Sequence, residues 1–94
     1  MIRSYRDRAT ERFASGTFVK MFSGFARQAE RRLDRLEAAN SLQDLAALPG
    51  NRLEALKGKR VGQYSIRIND QWRICFEWRA GAPGPDNVEI TDYH

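Results

Sequence analysis

Gln63-Tyr-Ser-Ile-Arg-Ile-Asn-Asp-Gln-Trp-Arg-Ile-Cys-Phe-Glu-Trp78 is the stretch whose reading decides the fold. Tyr64, Ile66 and Ile68 alternate with Ser65 and Arg67. Trp72, Ile74, Phe76 and Trp78 then alternate with Arg73, Cys75 and Glu77. Successive side chains of a strand point to opposite faces, so each run predicts a strand with one apolar face. Asn69-Asp70 between them predicts a tight turn, which makes the pair an antiparallel hairpin. Its aromatic and branched face needs helices to cover it. Its other face displays Arg67 and Arg73 on neighbouring strands. Two guanidinium groups there make either a phosphate-sized site or an ordinary solvated face.

Outward from the hairpin, Arg79 to Asn87 holds Gly81, Pro83, Gly84 and Pro85 and predicts a loop. Val88 to Asp92 predicts a final strand. Upstream, Arg52 to Leu56 predicts a first strand. Pro49-Gly50 closes a short helix that starts at Ser41 and carries Leu42, Leu45 and Leu48 on one side. Before it, Phe22, Phe25, Ala26, Ala29, Leu33 and Leu36 repeat at helical spacing, with Arg27, Glu30, Arg31, Arg32 and Asp34 between them. That stripe predicts the main helix, stopping near Asn40. Thr10 is read as the cap of a brief helix through Phe13, ended by Gly16. Ile2 to Tyr5 is read as a short strand. With no internal repeat and no dividing linker, residues 1–94 read as one α+β domain. Its N-terminal helices pack on one face of a small antiparallel sheet.

The chain has 94 residues, with 16 Lys and Arg against 12 Asp and Glu. The excess is local. Between Asn51 and Ile74 stand Arg52, Lys57, Lys59, Arg60, Arg67 and Arg73, opposed only by Glu54 and Asp70. Such a field attracts phosphate backbones or an acidic protein. Cys75 is the only cysteine, which excludes an intramolecular disulfide. Its apolar setting predicts a small buried thiol. No long apolar run or signal-peptide pattern is present, so a cytoplasmic protein without a membrane partner is expected. One histidine, one cysteine and no carboxylates at ligand spacing make no metal motif. Gly58 and Gly62 read as turns rather than as a phosphate loop. No cofactor or metal is therefore expected.

The chemistry-bearing group is Asp92-Tyr93-His94. His94 is the sole histidine, and imidazole is the side chain whose ordinary pKa lies nearest neutrality. A base, a phenol and nearby cations suggest chemistry on a nucleic acid, where reaction at phosphorus needs a base, an acid and positive charge. The competing readings are a solvated chain end for His94, a packing role for Tyr93 and solvated turns for Lys57 and Lys59. Strict strand alternation would set Tyr93 opposite Asp92 and His94, so the last residues are expected to leave strand conformation and turn toward the basic face.

Three stretches taken together, Asn51 to Arg60 with Leu56-Lys57-Gly58, Gln63 to Trp78, and Val88 to His94, resemble the HigB-type toxins of the RelE/ParE superfamily. The resemblance is close in the C-terminal half. In the helical half it rests on order and length. It implies a RelE-like α+β fold and a ribosome-dependent endoribonuclease that cuts messenger RNA in the A site. It also implies a neutralising HigA-like helix-turn-helix antitoxin, with operator DNA contacted only through that partner. By the same resemblance, Lys57, Arg73, Asp92, Tyr93 and His94 are the catalytic positions. Arg52, Lys59, Arg60 and Arg67 are the candidate RNA contacts. Some relatives carry a histidine just before Leu-Lys-Gly, where this chain has Glu54. The superfamily also holds gyrase poisons, and a non-catalytic RNA- or ribosome-binding module on the same fold is a further alternative.

Overall fold

The computed structural model describes residues 1–92. Three helices, α1 (Arg8–Ala14), α2 (Ala26–Ala38) and α3 (Leu42–Ala46), precede four strands. These are β1 (Glu54–Ala55), β2 (Gln63–Arg67), β3 (Arg73–Glu77) and β4 (Asp86–Thr91). They form one antiparallel sheet in the order β1-β2-β3-β4. The α+β architecture expected from the hairpin is the one observed.

The apolar face lies where alternation puts it. Ile66, Ile68, Ile74, Phe76, Val88 and Ile90 are buried with Ala29, Leu33 and Leu36 of α2. Trp72 seals the hairpin end, its ring 4.9 Å from that of Phe25 and 5.9 Å from that of Phe22. The two phenylalanines come not from the helix proper but from a 3₁₀ segment, Lys20–Phe25, which delays α2 to Ala26. Gly24 lies in that segment, and glycine has low helix propensity.

Several boundaries differ from expectation. Asp7, not Thr10, caps α1: its carboxylate accepts from the Thr10 amide at 2.7 Å. Thr10 is buried, and its hydroxyl accepts the Ile90 N–H at 3.0 Å. Residues 2–5 make no regular strand. A single parallel bridge joins Tyr5 to Val88, because the chain turns at once into α1. β1 is confined to Glu54–Ala55, since Arg52 takes a left-handed φ of 46° after the Pro49–Asn51 turn. The hairpin turn needs one more residue than Asn69-Asp70: the Asn69 side chain accepts the amides of Gln71 and Trp72, both at 2.8 Å.

β4 starts at Asp86, ahead of the expected Val88. Glu77 pairs with Asp86 but Cys75 with Glu89, so β4 carries an extra residue. Asn87, at φ 52°, absorbs that bulge. Ahead of it, a Cβ at Gly84 would meet the Met1 carbonyl oxygen at 1.9 Å. Only glycine lets the first residues lie against this loop, where the Arg3 amide donates to Pro85 at 2.8 Å. Between Ser15 and Ser23 the chain runs into the 3₁₀ segment, with Phe18 and Met21 exposed.

Candidate active site

The helices cover one face of the sheet. The pairing register lays out the other. Across β2, β3 and β4 run two rows: Ser65–Cys75–Glu89 in the middle, and Arg67–Arg73–Thr91 at the hairpin end. Asp92 continues directly from the second row.

Arg67 and Arg73 of that end row, and Asp92 beyond it, are each held by the hairpin turn. Arg73 Nη1 donates to the carbonyls of Asn69 and Trp72, the latter at 3.2 Å. Arg67 pairs with Asp70, a fully exposed carboxylate, so this ion pair adds little stability. Gln71 Nε2 donates to Asp92 Oδ2 at 2.9 Å. Arginines directly opposite each other on adjacent strands repel. The turn's carbonyls and Asp70 offset that repulsion and keep both guanidinium groups at the sheet end. Asn69 and Gln71 are supports that the sequence reading missed. The only signal for them was the Asx-turn propensity of Asn69.

The middle row is roofed by Arg60. One guanidinium nitrogen reaches Gln63 Oε1 on β2 at 2.9 Å and Glu89 Oε1 on β4 at 2.8 Å. It therefore crosses β3. Beneath it Ser65 and Cys75 are buried, although they lie on the face away from the helices. Arg6 approaches the same Glu89 oxygen at 3.8 Å. Burial pushes the Cys75 thiol up to about 11, with Arg60 and Glu89 pulling in opposite directions. The thiol is thus protonated and inert near neutral pH. Glu89 was not among the expected site residues, because a lone strand glutamate gives no signal of its own.

The remaining candidates scatter around this face. Glu54, Ala55, Leu56, Lys57 and Arg60 line an open hollow of about 420 Å³ beside the edge strand. Leu56 pairs with Gln63, so Lys57 sits at the end of β2 opposite Arg67 and Arg73. The intervening strand length is about 13 Å. Lys57 and the Arg67–Arg73 pair thus stand at opposite ends of β2. Lys59 is exposed in the Gly58–Arg60 turn, and Arg52 is exposed beyond Asn51. Glu54, at the position where some relatives have histidine, faces the hollow shared with Lys57. Tyr93 and His94 lie outside the described residues. Among the described residues no group of three His, Cys, Asp or Glu side chains converges. None of the described helices is long and apolar enough to cross a membrane.

The comparisons with known proteins bear on the family and the fold. The family profile described as "RelE-like toxin of type II toxin-antitoxin system HigB" matches residues 3–94. The chain is 47% identical over 51 residues to Toxin HigB-1 of Vibrio cholerae serotype O1, a match spanning 54% of each protein, so about half the relative's length. It is 35% identical over 71 residues to Endoribonuclease HigB of Proteus vulgaris, covering 73% of this chain and 75% of that one. Among solved structures, the YoeB/ParE toxin from Agrobacterium tumefaciens superimposes with a TM-score of 0.50 at 18% identity, over 80% of this chain and 85% of the other. At that identity the likeness concerns the fold.

Proposed function

The chain belongs to the RelE-like HigB toxins of type II toxin–antitoxin systems, and from that premise we propose that it is a ribosome-dependent endoribonuclease that cuts messenger RNA in the A site. The observation that carries the proposal is the row Arg67–Arg73–Thr91, continued by Asp92, on the sheet face that no helix covers. The name Endoribonuclease HigB of the Proteus relative supports the same reaction class.

The reaction is metal-free transesterification. The 2′-oxygen loses its proton, attacks the adjacent phosphorus in line, and the bond to the 5′-oxygen breaks as that oxygen gains a proton. Negative charge grows on the non-bridging oxygens, where preorganised donors act most strongly. Arg73, anchored by turn carbonyls, is assigned to those oxygens, with Arg67 beside it. Asp92 or His94 takes the 2′-hydroxyl proton, and His94 or a partner group protonates the leaving oxygen. Tyr93 stacks on a base or orients the nucleotide. Lys57 and Arg60, farther along the face, hold a flanking phosphate, and Arg52 and Lys59 extend the RNA contact. Glu54 shares the hollow with Lys57 and is available for proton transfer where some relatives use histidine. The neutralising partner is a HigA-like helix-turn-helix antitoxin that carries the pair to operator DNA.

Growth assays test the assignment. His94→Ala and Asp92→Ala should each relieve growth inhibition while accumulating as folded protein. Removing a proton-transfer group costs about 10²–10⁴-fold in rate. Full toxicity in both variants would remove the terminal group from the mechanism. Gyrase-dependent DNA damage with intact messages would replace it with the gyrase reading.

A further inference from the structure

The turn that follows Lys57 is bounded by two glycines in left-handed backbone, Gly58 at φ 64° and Gly62 at φ 93°. Glycine adopts that region freely and many others besides, so the turn's own backbone does little to fix its tilt. Its anchors lie outside it. Leu56, just before Lys57, is buried, and its amide donates to the Gln63 carbonyl at 2.9 Å. On the far side the Arg60 amide donates to the Lys57 carbonyl at 3.2 Å, so Lys57 and Arg60 are the two ends of one turn. The second anchor is the Arg60 guanidinium, which grips Glu89 on β4 at 2.8 Å.

From β2 to β4 is two strand spacings, about 9–10 Å. An arginine side chain crosses that distance only over a low floor. Ser65 and Cys75 supply it: both are small, and they stand in one row with Glu89. Glu89 is fixed from its other side as well. The Val88 amide donates to the Ser4 carbonyl at 3.1 Å, and the Arg6 amide donates to the Val88 carbonyl at 2.9 Å. This pairing brings Arg6 Nε to 3.8 Å from the same Glu89 oxygen. A carboxylate in the middle of this face opposes its attraction for phosphate, so on charge alone the face would hold RNA better without it. Its geometry gives it a different use.

We propose that Glu89 is a positioning residue for the cleavage reaction: through Arg60 it docks the Lys57 turn onto the sheet and sets where the lysine stands relative to Arg67 and Arg73. The role rests on the proposed function, because Lys57 needs a set position only if it grips RNA. Holding the message about 1 Å out of place costs on the order of 10²-fold in rate. Glu89 thus raises the rate of the bound complex while slightly weakening its formation.

The test is single-turnover cleavage of a message on translating ribosomes by the full chain, read as a saturating rate and a half-saturating protein concentration. Glu89→Gln is compared with Glu77→Gln. Glu77 stands on the same face of β3, where it accepts from Asn87 Nδ2 at 3.2 Å, so each variant removes one negative charge from that face. In Glu89→Gln the saturating rate should fall about 10–10²-fold, with the half-saturating concentration unchanged or lower. Glu77→Gln should keep the parental saturating rate. Added to Lys57→Ala, Glu89→Gln should cost only about twofold or less, because the two act through one turn. Arg60→Gln with Glu89→Gln leaves neither member of the pair charged and alone. It should show the same fall in saturating rate, and it decides the matter if the single variant does not fold. An undiminished saturating rate in Glu89→Gln, equal effects of Glu89→Gln and Glu77→Gln, or a full additional loss on top of Lys57→Ala would each overturn the role. With a parent that cuts, any of these leaves the proposed reaction standing. A parent that cuts nothing would overturn the reaction and the role together.

Discussion

Glu89 presents one oxygen to both Arg60 and Arg6, on a side chain only 12% exposed. Removing its charge should free Arg60 from β4 and uncover the face beneath. Cys75 reports the event, because it is fully buried under that guanidinium and its thiol is otherwise held protonated. In Glu89→Gln, labelling of Cys75 by a thiol reagent at pH 8 should run at least tenfold faster than in the parent, with circular dichroism unchanged. An unchanged rate would mean that Arg60 keeps its place without the Glu89 charge. At this scale the sequence was partly legible. Arg67 and Arg73 were found from alternation, and the buried thiol was expected. Glu89, Gln71 and Asn69 were missed, since their roles come from pairings between strands and a turn that spacing along the chain does not reveal.

The elements show the same division between local and distant causes. Alternation in β2 and β3 and helical spacing in α2 were readable, because a buried face imposes its period on the chain. Ser41 was legible as the start of α3, and its side chain caps that helix by accepting the Asp44 amide at 3.3 Å. Thr10 was misread as one, because the reason for its burial lies in β4. Its hydroxyl accepts the Ile90 N–H, which faces the N-terminal segment rather than β3. Thr10→Val keeps the shape and strands that amide without a partner. We expect about 1–3 kcal/mol of destabilisation in urea unfolding, whereas Thr10→Ser should lose less because it keeps the acceptor. Equal stability of the valine variant and the parent would mean that the amide finds another acceptor. The bulge at Asn87 was likewise set by tertiary fit, which propensity does not encode.

On the scale of the whole molecule, charge is distributed by side. The helices bury one face of the sheet. The opposite face carries Arg60, Arg67 and Arg73 with Asp92 at its end, and the acids of α2 are turned toward α1. The sequence showed the basic excess between Asn51 and Ile74 but not its continuation onto α2, where Arg31, Arg32 and Arg35 are interleaved with acids along the chain and separate from them only around the helix. Phosphate recognition at the end row of the sheet is the claim on which the functional account depends. Primer extension on a message translated by purified ribosomes tests it most directly. The parent protein should produce cuts in the reading frame that require translation, and Arg73→Gln should reduce them by about 10²–10³-fold while remaining folded. Intact transcripts with the parent, or cutting by Arg73→Gln at the parental rate, would contradict the account.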